Sequence, residues 1–183
     1  MKKKVLAAFM VAAMVAAMPM SALAAGSSST STTTTTTTTT EDGKSLTTNG
    51  AGSNTANVSA VFAVGHAETA GLPEAVVSSI NSINSGTDLS AAVGNPDLSG
   101  YAALTKTAAV VLQNTSTQGV ANQETTVTLY IPNLVEGLQD VKILYYENAT
   151  GQWKVVDPSA IDFNKKTVTF NMFGSGTVTV IHK

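Results

Sequence analysis

Apolar residues alternate with polar ones through much of the chain after residue 106, and this pattern predicts β-strands. In the clearest case Val127, Leu129 and Ile131 share one strand face, and Pro132 ends the segment. Similar segments recur about every 8–12 residues with turn residues between them, as in antiparallel sandwiches and barrels. The predicted strands cover residues 58–64, 108–113, 125–131, 141–146, 152–156, 161–163, 167–170 and 177–182.

A helical periodicity precedes most of these strands. Val76, Ile80 and Ile83 fall on one face at helical spacing, and Pro73 suits a first helical position. The pattern therefore predicts a short amphipathic helix over residues 73–84. Residues 87–104 contain proline and two glycines, which favours a loop with room for one helical turn.

The segment 141–146 is apolar on both faces. Val141, Ile143 and Tyr145 alternate with Leu144 and Tyr146. A strand with one solvent-exposed face would be apolar on the other face only. We expect the 73–84 helix to cover the second face. The predicted fold class is mainly β: an antiparallel immunoglobulin-like β-sandwich, residues 57–183, with a short N-terminal helical cap.

The first 24 residues have the three regions of a secretory signal peptide. Three lysines follow Met1, residues 5–18 are almost wholly apolar, and Ala22-Leu23-Ala24 provides a small-x-small cleavage site. A 14-residue helix is only about 21 Å long, short of the roughly 30 Å hydrocarbon core of a bilayer. We expect cleavage after Ala24 and no later membrane span. The mature chain is then extracellular, either secreted or held non-covalently at the cell surface.

Residues 25–56 are rich in Ser and Thr and include nine consecutive threonines, Thr32 to Thr40. Such a segment can bury little apolar surface, so it cannot offset the conformational entropy lost on ordering. It is therefore predicted to be a disordered linker. Two interpretations stay open. It is either a glycosylated stalk that holds the domain off a surface or a disordered tail.

Charge and cysteine content exclude several classes of function. Cleavage after Ala24 leaves seven lysines, no arginine and twelve Asp plus Glu, so the net charge is about −5. Nucleic acids and anionic membranes attract clustered basic residues, which this chain lacks. The absence of cysteine excludes disulfides, thiolate metal sites, thiol catalysis and lipid attachment to Cys.

The stretch VTLYIPNL…VKILYYENATGQWKVVDPSAIDFNKKTVTFNMFGSGTVTVI resembles the C-terminal β-sandwich modules of extracellular proteins from Gram-positive, clostridia-like bacteria. The shared pattern is a strand ending in paired aromatics, a turn, a Trp-containing strand and a Thr-Val-Thr strand. The resemblance covers about 60 residues. It implies a fold and an extracellular setting, and it identifies no active-site residue.

Trp153, Tyr145 and Tyr146 are the candidate ligand-binding residues. Aromatic rings exposed on one sheet face could stack on sugar rings, as in carbohydrate-binding modules. The alternative is that Trp153 fills the centre of the sandwich, flanked by Val155, Val168 and Phe170, because a lone Trp in a small β domain is usually core.

Other candidate chemistry is incomplete. Asn95, Asp97 and Ser99 resemble the start of a calcium loop, but Lys106 occupies the position that needs an acid, so an ordinary turn is expected. His66 and Glu68 lack a third metal ligand, since the only other histidine is His182.

The acidic candidates for glycoside cleavage are Glu147, Asp157 and Asp162, which lie in or beside predicted turns. No nucleophile-elbow motif for a Ser hydrolase occurs. We therefore expect no cofactor and no metal. The sequence favours a secreted non-enzymatic module that is structural or binds a cell-surface or matrix component, such as a cell-wall glycan or surface protein. A carbohydrate-binding module and, less favoured, a secreted hydrolase are the alternatives.

Overall fold

The computed structural model describes residues 35–39, 45–49 and 57–183, which belong to one compact unit, Ser31–Lys183. Most of its elements from residue 57 onward follow the alternating and helical patterns of the sequence. The helices are α1 (Glu74–Asn84) and α2 (Leu89–Val93), with 3-10 turns at Gly65–Glu68 and Pro96–Leu98. The strands are β1 (Thr35–Thr39), β2 (Ser45–Asn49), β3 (Val58–Phe62), β4 (Ala102–Ala103), β5 (Ala108–Asn114), β6 (Glu124–Tyr130), β7 (Lys142–Glu147), β8 (Gln152–Val156), β9 (Ala160–Asp162), β10 (Thr167–Phe173) and β11 (Gly176–His182).

The strands form two antiparallel sheets. Sheet A has five strands in the order β1-β2-β6-β10-β9. Sheet B has the order β3-β5-β11-β7-β8, and the short β4 pairs with the C-terminal end of β11. The prediction of a mainly β, antiparallel sandwich with a short helix is confirmed.

The main core lies between the two sheets. Alternate residues of β6 and β10, including Val127 and Phe170, pack against alternate residues of β5, β7 and β11, including Leu112, Ile143 and Val180. All five are almost completely buried. Burial of each such side chain contributes about 1.5–3 kcal/mol, so this interface supplies most of the apolar stabilisation.

A second, smaller core lies on the opposite face of sheet B. Leu144 and Ile181 pack with Ile83 of α1 and Leu89 of α2, and Tyr146 packs with Val76 and Ile80 of α1. The prediction that a helix covers the second face of β7 is therefore confirmed. The molecule has three layers: sheet A, sheet B and a helical layer.

The helical layer is longer than the sequence predicted. Within 87–104, predicted as a loop with one turn, α2 begins after Asp88, whose carboxylate accepts a hydrogen bond from the backbone N–H of Ala91. It ends at Gly94, which has a left-handed φ of 73°, a conformation that glycine adopts without a Cβ penalty. The following turn includes Leu98, which is buried in the second core.

The Ser/Thr-rich segment differs from its prediction at two places. Thr35–Thr39 and Ser45–Asn49 form β1 and β2 within the expected disordered linker, and β2 pairs with β6. The physical reason is that threonine is β-branched and favours strands when a partner edge is present. The rest of residues 25–56 lies outside the described residues, and so does the predicted signal peptide. In the described part of the chain no helix is long and apolar enough to cross a membrane.

Candidate functional site

An open groove of about 590 Å³ lies where sheet B meets the helical layer. The end of α1 and the connection to α2 form one wall, with Asn84, Thr87 and Asp88. Pro132 and Asn133, which follow β6, form the other wall. Residues 101–106, which include β4, complete the lining.

The groove exists because two strands share one edge of β11. β5 pairs with β11 at residues 176–178, and β4 pairs with it at 181–182. Between these two pairings, Thr105 is joined to β11 by hydrogen bonds that involve side chains. Its hydroxyl accepts a hydrogen bond from the backbone N–H of Val180 at 3.2 Å, and its carbonyl accepts one from the Thr179 hydroxyl at 2.7 Å. Residues 101–106, which connect these two pairings to the helical layer, line the groove.

The backbone of β4 is directed partly into the groove. Leu104 donates its N–H to the carbonyl of Val180 at 2.7 Å, so Leu104 faces β11. Adjacent residues of an antiparallel strand direct their N–H and C=O groups to opposite sides. Ala103 therefore directs its groups away from β11, on the side where the structure places no further strand among its described residues.

The polar side chains of the first wall also have structural partners. The Asn84 carboxamide donates to the Thr107 hydroxyl at 2.9 Å and accepts its backbone N–H at 2.8 Å. Asp88 caps α2, and hydrogen bonds from the Ser90 hydroxyl and the Ala91 N–H hold the pKa of its carboxyl below the usual range. These bonds tie the end of α1 to Thr107 and cap the start of α2.

A charged network lies beside the groove at Tyr101. The Tyr101 hydroxyl donates a hydrogen bond to Asp140, and Lys183 lies 4.4 Å from the centroid of the Tyr101 ring. Lys142 bridges Asp140 at 3.4 Å and Asp157 at 2.5 Å. The hydrogen bond from Tyr101 lowers the pKa of Asp140, and the one to Asp157 raises the pKa of Lys142. Both groups are therefore ionised at neutral pH and pair with each other.

The three aromatic candidates are only partly available to a ligand. Tyr145 faces the sandwich core and Tyr146 faces α1; both are buried, with 3% and 5% of their surface exposed. Trp153 is half-buried in the second core, with its ring centroid 5.5 Å from that of Tyr146. Stacking on a sugar needs an exposed ring face, which neither tyrosine offers. Trp153 does not lie inside the sandwich with Val168 and Phe170, and this expectation was wrong.

The acidic candidates have separate partners. Glu147 pairs with Lys154 at 2.5 Å, Asp157 with Lys142, and Asp162 with Lys165 at 3.4 Å. Glu147 is the buried member, with 2% exposure, and also accepts a hydrogen bond from the Thr150 hydroxyl. Each of the three carboxylates is therefore engaged in an ion pair with its own lysine.

The ion pair of Glu147 is expected to make the free energy of unfolding depend on pH in the acid range. Hydrogen bonds from Lys154 and Thr150 lower the pKa of Glu147 in the folded state. Its ionised form therefore contributes stability above the unfolded-state pKa of about 4.3, and this contribution is lost as pH falls through the lower folded-state pKa. Relative to the wild type, Glu147→Gln should lose most stability near neutral pH and less in acid. Urea unfolding between about pH 3 and 7 measures the difference.

Glu136→Gln, at an exposed position in the loop after β6, is the matched control. It should leave the pH dependence of the free energy of unfolding nearly unchanged. A stability difference between Glu147→Gln and wild type that does not vary with pH would contradict the assignment of the charged pair.

The remaining candidates lie apart from the groove lining. His66 and Glu68 are exposed in the 3-10 turn after β3, and His182 lies in β11. The described residues contain no group of three or more His, Cys, Asp or Glu side chains that could hold a metal ion. Asn95 accepts the backbone N–H of Asp97 at 3.0 Å, the geometry of an Asx turn, as the sequence predicted.

Comparison of the chain with protein-family models, curated proteins and solved structures gave no match.

Proposed function

We propose that the chain is a secreted, non-enzymatic extracellular module that binds a component of the cell surface or extracellular matrix in the groove beside β4. The groove carries the proposal. Its volume of about 590 Å³ lies in the range typical of ligand sites, about 300–1,000 Å³.

The lining supports binding more than catalysis. Apolar Ile83 and Leu104 line the groove together with the polar residues Thr87, Asn133 and Lys106. This mixture offers a ligand both apolar contact area and hydrogen bonds. The acidic wall residue, Asp88, is occupied in capping α2. Nucleophilic and general acid–base catalysis require a positioned base beside the reacting group, and both histidines lie outside this lining.

The extracellular setting is supported by the signal-peptide pattern of residues 1–24. The resemblance of the last strands to surface-protein modules of Gram-positive bacteria points to the same setting. On this proposal the domain stands outside the cell and its ligand is a wall glycan or a surface protein.

The test compares binding of the chain Ala25–Lys183, which contains the whole compact unit, with that of a groove-filling variant. Asn133→Trp places a large ring in the groove from an exposed loop position and should reduce binding to cell-wall fractions or arrayed glycans at least about tenfold. Asn164→Trp, an exposed asparagine in the turn before β10, is the matched control and should bind like wild type.

Equal binding by wild type and Asn133→Trp would remove the groove as the site. If a folded Trp153→Ala variant then lost binding, the ligand would lie at the half-buried Trp153, and the protein would be a carbohydrate-binding module of a different geometry.

A further inference from the structure

A sheet edge can bind another strand because its backbone N–H and C=O groups on one side lack strand partners. In the described part of the chain, the two sheets end in four such strands: β1 and β9 in sheet A, and β3 and β8 in sheet B. Natural β proteins protect these edges with short strands, charges, prolines or covering segments. The four edges differ in this protection.

Three of the edges are protected. β9 has only three residues and ends in Asp162, which pairs with Lys165. β8 carries Lys154, which reaches inward to the buried Glu147. β3 contacts both strands of the antiparallel β1–β2 pair. Each feature opposes the addition of a further strand.

β1 has neither a charge nor a proline, although it contacts β3. It consists of five threonines within the run Thr32–Thr40, without charge or proline. Short uncharged segments of high β-propensity without proline are those most prone to pair with further strands. β2 occupies one side of β1, and no described strand occupies the other.

We propose that the outer edge of β1 pairs antiparallel with β1 of a second copy of this chain, so that two sheets A join into one continuous sheet. A two-fold axis brings the same segment of each copy together in antiparallel order. A homothreonine segment suits this arrangement because threonine lies opposite threonine in every register. Cross-strand threonine pairs are among the favourable ones in sheets.

The charge pattern selects the antiparallel orientation. Glu41 and Asp42 directly follow the threonine run, whereas no charged residue lies between Ala25 and Thr40. Parallel pairing would place the acidic ends of both copies side by side. Antiparallel pairing of β1 centred on Thr37 separates the Glu41 residues of the two copies by eight residues, about 27 Å at about 3.4 Å per residue. This distance is well beyond the screening length of about 8 Å at physiological salt.

The oligomeric state of Ala25–Lys183 tests this inference independently of any groove ligand. Sedimentation velocity should show a concentration-dependent dimer for the wild type. Thr37→Lys places a charge in the middle of β1 and should weaken dimerisation at least about tenfold. Ala160→Lys, exposed in β9 at the other edge of sheet A, should dimerise like wild type. A monomeric wild type, or a Thr37→Lys variant that dimerises as well as wild type, would overturn the proposal.

Cross-linking provides a second measurement that does not depend on Thr37→Lys remaining folded. Since the chain has no cysteine, single-cysteine variants Thr36→Cys, Thr37→Cys and Ala160→Cys report only on the position changed. Antiparallel partners across a two-fold axis lie about 4.5–5.5 Å apart at Cα, within disulfide range. Oxidation should yield covalent dimers of a β1 variant and not of Ala160→Cys. Equal cross-linking of all three variants would contradict pairing through β1.

Discussion

Replacing Gly176 by alanine should destabilise the domain by about 3 kcal/mol or more. Gly176 is buried in β11 opposite Glu147 of β7, and a Cβ atom there would overlap the backbone carbonyl oxygen of Tyr146. Because the obstacle is backbone and not the tip of a flexible side chain, it moves only if β7 and β11 separate. Urea unfolding followed by Trp153 fluorescence measures the loss.

Gly119→Ala is the matched control. Gly119 lies between β5 and β6, and an added Cβ would come no closer than 3.4 Å to the Thr117 hydroxyl oxygen. Its effect should stay within about 0.5 kcal/mol. Equal stability of the two variants would show that β7 and β11 are not packed as closely as the structure describes.

Leu144→Ala should cost about 2–5 kcal/mol, the range for truncation of a fully buried leucine. Leu144 lies on the face of β7 that the helical layer covers, has 0% exposure, and packs with Ile83 of α1 and Leu89 of α2. Its removal leaves a cavity between sheet B and the helices. The free energy of unfolding from urea titration gives the magnitude.

Val155→Ala tests whether this effect belongs to the helical layer. Val155 lies directly opposite Leu144 on β8 and on the same face of sheet B, but it is 37% exposed. Its truncation should cost less than about 1 kcal/mol. If both variants lost equally little stability, the face of β7 beneath the helices would be solvated, and the second core would not exist.

The helical layer was predictable because its evidence lies in β7 itself. Leu144 and Tyr146 would be costly on a wet face, and α1 carries the matching stripe of Val76, Ile80 and Ile83. Two local patterns, an apolar second face on β7 and an apolar stripe on α1, thus predict one long-range contact. The same reasoning gave most strands to within a few residues, because their alternation is regular and glycine or asparagine separates them.

The face occupied by Trp153 could not be deduced in this way. Trp153 lies opposite Tyr146 in the β7–β8 pairing, so it shares the helix-covered face. A shift of one residue in the register would place it on the sandwich face instead. The turn between β7 and β8 sets this register, and the hydrophobic pattern of β8 alone does not. Val155 and Val156 are apolar on opposite faces and therefore do not distinguish the two registers.

The groove and the strands of the Ser/Thr-rich segment lack the pattern that reveals other elements. β4 has two alanines and no alternation to detect. Its position depends on hydrogen bonds that Thr105 accepts from Thr179 and Val180 of a strand far along the chain. β1 and β2 contain mostly threonine and serine, whose low hydrophobicity predicts disorder while their β-branching favours strands. Pairing with β6 decides between these tendencies, and only the folded domain supplies that partner.

The place of β11 in sheet B also affects when the protein can fold. β11 lies between β5 and β7 in space, yet it is the last of the described strands to be synthesised. The earlier strands of sheet B leave the ribosome before the strand that joins their two halves exists. Sheet B is completed only after translation has passed residue 182, and such distant pairing is slow. For a chain exported as we propose, we expect this delay to favour an unfolded polypeptide during export.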